Sequence, residues 1–323
     1  MQFPQSSSQF LQRTHSTNIE DLALSTIGAN RRYTQLEASA LGFNMTVCQL
    51  DGLILIREQL GAGMQIEAAP PENFIPFATM IHVPQAAKFC GHAIPKNTLL
   101  QATGGQWDLC FKDKIDYVGS ILDKSVLAEL TESLMGHEIS PDWLINRALH
   151  VKPALLLHFG NTLCRLLSTE ELNPFLQKNA YMRHFISREI MELVVKILTS
   201  TLTYEQKIAP QSRRDRGVNR VLDYLQSYAQ HLPNLSELCQ VAQLSERSLE
   251  YGFRERLGLT PNRYMQAIRL NAARKELCRA THHTKVTDVA LAWGFSELGR
   301  FSKGYKQLFN ELPSHTIQRV CER

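Results

Sequence analysis

Apolar and polar positions change rhythm twice along this chain. Between about residues 32 and 121 the apolar positions come in short strand-like runs: 33–38, 43–49, 53–59, 64–68, 74–82, 98–102, 107–111 and 116–121. Gly, Pro, Asn and Asp separate them, as at Asp51-Gly52, Gly61 to Gly63, Pro70-Pro71 and Gly104-Gly105; these residues set turns. Many short strands at even spacing predict a barrel or a sandwich. From about 122 to 202 the apolar steps lengthen to three and four residues, the helical period. Ser140-Pro141-Asp142-Trp143 predicts a helix start, a cap followed by proline at the first helical position. A helix over 152–167 follows, and Asn173-Pro174 opens a long one over 175–202. Its stripe of Met182, Ile186, Ile190, Leu193 and Ile197 serves either as core or as a seam between subunits. Residues 1–20 are rich in Ser and Gln and predict a mobile segment.

The last third repeats itself. Residues 235–258 and 286–309 overlay at an offset of 51, pairing Leu235 with Val286, Leu238 with Val289, Cys239 with Ala290, Leu244 with Phe295 and Ser245 with Ser296. After one extra residue, Leu249 meets Phe301, Phe253 meets Tyr305 and Leu257 meets Phe309. Such a repeat is one supersecondary unit made twice. Each copy predicts a helix, a tight turn and a second helix. Asn234 and Glu237 have the spacing of a capping box. Ser245 and Ser296 stand where each second helix needs an N-cap. Gly258 ends the first copy and Gly294 makes the turn of the second, where positive φ is cheap for glycine. The small residues Cys239 and Ala290 fill the closest helix crossing.

One face of each second helix is core, and the other carries long donors: Arg247, Glu250, Tyr251 and Arg254 in the first, Gly299, Arg300, Lys303 and Lys306 in the second. A helix of that kind either enters a major groove or is simply solvated. Thr260-Pro261 starts a helix running to about Cys278, whose Tyr264, Ile268, Ala272 and Leu277 tie the two copies together. Its rigidity sets two reading helices about one DNA turn apart, roughly 34 Å.

Residues 235–318 resemble the DNA-binding domain of the AraC/XylS family of bacterial transcription regulators. The likeness is carried by Leu238, Ser245, Leu249, Phe253, Gly258, Pro261, Tyr264, Arg269, Ala273, Val289, Ala290, Gly294, Phe295, Phe301, Ser302, Lys303 and Phe309. Departures are Cys239 for the usual alanine, Gln243 for glycine, Leu298 for a polar residue, Asn310 for glycine, and Leu312-Pro313-Ser314 for Ser-Pro. The resemblance implies an α+β chain: a β-rich, cupin-like barrel with helices, then an all-α domain with two helix-turn-helix motifs. It also implies an activator that binds double-stranded promoter DNA, responds to a small-molecule effector closed into the barrel, contacts RNA polymerase and pairs into a homodimer by a helix between the domains.

Charge agrees with that picture. The net +4 is uneven: from Arg213 onward there are 18 Lys+Arg against 11 Asp+Glu, or +7, and the remainder carries −3. Basic charge therefore lies with the repeat, where phosphate attraction requires it. Hydrophobic content of 44% and charged content of 20% over 323 residues fit two packed domains. The expected division is a mobile segment at 1–20, an effector and dimerisation domain at 21–208, a linker at 209–217 and a DNA-binding domain at 218–323. No apolar run approaches about 18 residues, so no membrane span is expected. The N-terminus lacks the basic start and apolar block of a secretory signal. Seven widely spaced cysteines without a CxxC read as free thiols in a reducing cytoplasm, and the resemblance implies a bacterial cytoplasmic protein associated with the nucleoid.

The expected division of labour is as follows. Arg247, Glu250 and Tyr251 read bases in one groove, and Gly299, Arg300 and Lys303 in the next. Ser245, Arg254, Arg269, Ser296 and Lys306 hold phosphates. Arg213, Arg214 and Arg216 touch phosphates or stay solvated. Trp107, Phe77, Phe89 and Phe111 line an apolar pocket or are plain core. His82, His92, Cys90 and Glu67 are the conceivable metal ligands, but the His-x-His and following Glu of a metallocupin are missing, so no metal or cofactor is expected. The competing reading is a cupin-type metalloenzyme with an appended helical domain; another is an architectural DNA binder without sequence preference.

Overall fold

The computed structural model describes residues 10–19, 21–22, 30–38, 42–82, 86–102, 107–136, 147–169, 172–201, 212–227 and 233–322. The helix start read at Ser140 to Trp143, the Gly104-Gly105 turn and residues 209–211 of the expected linker lie outside the described residues.

The strands are β1 (Leu11–Ser16), β2 (Asn30–Gln35), β3 (Phe43–Leu50), β4 (Leu53–Leu60), β5 (Met64–Ala69), β6 (Phe74–His82), β7 (Lys88–Phe89), β8 (His92–Ala93), β9 (Thr98–Gln101), β10 (Trp107–Phe111), β11 (Ile115–Asp123) and β12 (Arg147–His150). They form two antiparallel sheets, in the orders β1-β3-β4-β11-β6-β9-β12 and β2-β5-β10-β7-β8. The α+β class holds, but the barrel is not closed. The sheets pack as a sandwich over a core that includes Tyr33, Met45, Ile56, Ile66, Leu109 and Phe111. Closure needs strand-to-strand bonding at both edges. Here the two-residue strands β7 and β8 are too short to bridge, and Asn271 occupies the β2 edge at Gln35.

Three expectations change. Part of the Ser/Gln-rich segment forms β1, which pairs along its whole length with β3, because Leu11 and the strand backbone find partners there. The stretch read as helical includes β12, an edge strand on β9. The long helix after Asn173-Pro174 is two helices, α3 (Leu172–Lys178) and α4 (Ala180–Thr201). The chain breaks at Asn179, whose side chain accepts from the Met182 N–H at 3.1 Å and so starts a new helix. Together with α1 (Lys124–Met135) and α2 (Pro153–Ser168), α4 covers the outer face of the larger sheet. Leu55, Phe77 and Val118 meet Phe159, Leu163, Ile190 and Val194 in that layer. Most of the α4 stripe is thus core, while Phe175 on α3 and Tyr181 and Phe185 on α4 stay exposed.

The helices of the last third are α5 (Arg213–Ser227), α6 (Leu235–Ala242), α7 (Glu246–Leu257), α8 (Pro261–Leu277), α9 (Val286–Ala292), α10 (Leu298–Phe309) and α11 (Pro313–Cys321). They pack on the outer face of the smaller sheet. Strands β5 and β10 are consequently covered on both sides. Trp107, Leu109 and Phe111 face the sandwich, whereas Cys110 joins the helical core. Gln65, Glu67 and Asp108, placed by strand alternation on the same side as Cys110, are buried as well.

Candidate nucleic-acid interface

Local sequence builds the first helical unit. Asn234 and Glu237 form the reciprocal capping box of α6. Gln243 takes the left-handed conformation at φ 53°, doing at the turn what glycine does in the usual pattern. Ser245 caps α7 by accepting from the Ser248 N–H at 3.3 Å, and Gly258 ends it at φ 73°. Leu249, Phe253 and Leu257 are buried. The tight crossing in this unit is α5 against α6 and α7, with Gly217 on α5 and Gly252 on α7. A Cβ at Gly252 would stand 2.7 Å from Val218, and one at Gly217 2.6 Å from Leu244. Cys239, expected at the closest crossing, is only half-buried. Glycines inside helical patterns are the signal that finds this contact.

The second unit differs at its entrance. Gly294 makes the turn at φ 76°, and Phe301 and Tyr305 are buried as expected. Ser296 does not cap the reading helix. The extra residue shifts the N-cap to Glu297, which makes no side-chain cap bond, and α10 starts at Leu298. Asn310 ends that helix in the left-handed region at φ 57°.

Both polar faces are open. Arg247, Tyr251, Arg254, Gly299, Arg300, Lys303 and Lys306 are exposed, and Glu250 is half-buried. Several are already engaged with neighbours. Arg300 pairs with Glu297 at 2.9 Å, with 82% of the arginine side chain exposed. Arg254 approaches Glu250 at 3.7 Å. Exposed pairs of this kind are worth about 0–1 kcal/mol, so a phosphate or base edge displaces them at little cost. Arg269 sits half-buried on α8, where desolvation draws its guanidinium below the usual arginine range.

The sequence reading misses the helical setting of one group and the role of one residue. Arg213, Arg214 and Arg216 lie on the first turn of α5, not in an extended linker. Arg214 stacks over the Tyr251 ring at 4.5 Å and pairs with Glu255 at 3.2 Å, which brings a third helix to the reading face. Glu297 sets the resting position of Arg300.

The sandwich holds a cavity of about 40 Å³ lined by residues including Arg31, Phe77, Phe89, Trp107 and Tyr117. Phe111 is core rather than lining. Arg31 is ion-paired with Glu58, and the Tyr33 and Tyr117 hydroxyls also donate to that carboxylate. Arg31 Nε and Trp107 Nε1 are buried without a hydrogen-bond partner among the described residues. Among those residues no three His, Cys, Asp or Glu side chains come together as metal ligands, and His82 and His92 are exposed. No helix there is long and apolar enough to cross a membrane.

Comparison with known proteins centres on the repeat. A family model described as a helix-turn-helix domain matches residues 238–319. The probable thc operon regulatory protein of Rhodococcus erythropolis is 39% identical over 104 residues, 32% of this chain and 31% of its own. The XylDLEGF operon transcriptional activator of Pseudomonas putida is 32% identical over 113 residues, 35% of each chain. The chain thus spans about a third of the length of these curated relatives. A solved structure of a probable AraC family transcriptional regulator from Rhodopseudomonas palustris is 30% identical, covering 32% of this chain and 97% of that one, with a TM-score of 0.31. Residues 238–319 thus carry the helix-turn-helix domain of the AraC/XylS family of transcription regulators.

Proposed function

We propose that the chain is a sequence-specific DNA-binding transcription regulator whose N-terminal domain makes it effector-responsive. The observation that carries this is the pair of helices with exposed polar faces, α7 with Arg247 and Arg254 and the basic α10 with Arg300, Lys303 and Lys306, each built on its own buried core and joined by α8. Residues 218–323, extended upstream to Arg213 by α5, form the DNA-binding domain in this reading. Arg247, Glu250 and Tyr251 read one major groove, and Gly299, Arg300 and Lys303 the next. Arg254, Arg269 and Lys306, with Arg214 beside Tyr251, hold phosphates. Ser245 acts through the capped N-terminus of α7; Ser296 is left with a backbone contact ahead of α10.

The effector acts at the inter-sheet cavity. At about 40 Å³ it holds little more than a water. A ligand there must part the sheets, and Trp107 at the cavity neighbours Asp108, which grips the helical domain through Arg256. A shift of β10 is therefore felt at α7, and the effector biases two states by its differential affinity for them. RNA polymerase is a further partner on this reading, and the cytoplasm its place. A homodimer uses the exposed Phe175, Tyr181 and Phe185; a monomer by light scattering at micromolar concentration removes that element.

The test is binding to a selected duplex. Arg300→Ala is expected to cost about 1–3 kcal/mol and to relax preference at one base position. Equal loss on every sequence makes Arg300 a phosphate contact instead. Lys306→Ala is expected to weaken binding alike on all sequences and to flatten the salt dependence by about one phosphate.

A further inference from the structure

We propose that the N-terminal sheet sets the spacing at which the two helix-turn-helix units read DNA, with Asp108, Gln65 and Gln35 as positioning residues. The inference rests on the DNA-binding reading above and concerns how the two units are held.

The units have separate cores. Val218, Leu238, Leu249 and Phe253 belong to one, and Val289, Ala290, Phe301 and Tyr305 to the other. Helix α8 serves both: Tyr264 and Met265 lie in the first core, and Leu270, Ala273 and Leu277 in the second. That helix meets each unit through apolar packing, which is non-directional, so the angle between the two reading helices needs directional contacts besides.

The sheet spans that joint. Asp108 Oδ1 accepts from Arg256 Nη2 at 2.6 Å, at the last turn of the first reading helix. Gln65 Oε1 accepts from the Tyr264 hydroxyl at 2.6 Å, early in α8. In mid-α8, Asn271 meets the free edge of β2: its Oδ1 accepts from the Gln35 N–H at 3.0 Å and its Nδ2 donates to the Gln35 carbonyl at 2.9 Å. The Gln35 side chain donates to the Leu308 carbonyl at 2.7 Å, in the last turn of the second reading helix. At the far end of α8, Arg274 donates to Asn18 and pairs with Glu311.

The central contacts are buried, so water does not compete for them, and hydrogen bonds tolerate little change of angle. Directional bonds from one rigid sheet to both reading helices and to the joint between them fix the relation of the units in a way apolar packing does not. Arg247, Tyr251, Arg254, Gly299, Arg300, Lys303 and Lys306 stay exposed with these contacts made, so the brace leaves the polar faces uncovered.

The experiment uses the full chain and duplexes carrying its two selected half-sites, with the spacer changed by one or two base pairs either way. The native chain is expected to lose at least about tenfold in affinity for each one-base-pair change, because the half-sites rotate about the duplex. A Gln35→Ala, Gln65→Ala, Tyr264→Phe variant removes both partners of the Tyr264 bond and strips the Leu308 contact. It is expected to bind the shifted spacers within about threefold of the native spacer while single half-site affinity stays unchanged. Cys110, buried 3.9 Å from the Leu257 carbonyl between sheet and helices, is expected to become faster to alkylate. If the triple variant fails to fold by circular dichroism, Gln35→Ala alone is read on the same duplexes. A variant as spacer-selective as the native chain, or a native chain indifferent to spacer, overturns the brace. Failure of the native chain to select any half-site overturns the DNA-binding reading itself.

Discussion

Replacing Phe301 by alanine is expected to destabilise the second helix-turn-helix unit by about 3–5 kcal/mol, the range for emptying a large aromatic from a core. Phe301 is fully buried and central to an aromatic stack, with Phe295 at 4.9 Å and Tyr305 at 5.7 Å between ring centroids. Tyr305 in turn lies 4.7 Å from Phe309 and shares a 2.8 Å hydrogen bond with Thr316 of α11. Urea unfolding followed by protease mapping checks the result: cleavage should appear first in 286–321 while the first unit stays protected. Protection lost evenly across 235–321 contradicts the separation of the two cores.

The second large effect lies in the N-terminal sandwich. Glu58→Ala leaves the Arg31 guanidinium, whose side chain is 4% exposed, without its counter-charge and with the Tyr117 hydroxyl at 3.2 Å as its remaining polar contact among the described residues. Breaking one side of a buried pair costs about 3–5 kcal/mol, whereas replacing both partners by apolar residues of similar volume is often neutral. Arg31→Met with Glu58→Leu is therefore expected to be far more stable than Glu58→Ala, as measured by denaturant midpoint. The pair also shapes the alkaline limit. Burial first, then Glu58, holds the Tyr117 phenol well above its usual range, and burial lifts Tyr305 to about 12. A folded value above the unfolded one means the stability tied to these protons is full below about pH 10. It is lost as pH rises from there through the folded values.

Much of this molecule is readable in its residues because local chemistry and tertiary structure agree. The 74–82 and 107–111 runs are strands with those bounds, set by alternation and flanking turns. The helical repeat is legible because caps, left-handed residues and core positions recur in register. Reading fails where a distant partner decides. A polar segment becomes β1 only because β3 offers an edge. Gln65 and Asp108 stand where alternation puts solvent-facing residues, and a helical domain covers them instead. Ser296 matches Ser245 by alignment, yet one inserted residue moves the cap to Glu297, a shift that fixed-offset comparison hides. Arg214 reaches the reading face because Gly217 and Gly252 let α5 approach, which is a packing fact.

The account stands on two reading helices held at a fixed distance on one domain. Selection of bound duplexes from a random pool by the full chain tests this most directly. The expected product is a bipartite site, two distinct half-sites about 10–10.5 base pairs apart centre to centre, on one face of the duplex. Recovery of a single short half-site, or of random DNA at equal strength, contradicts it.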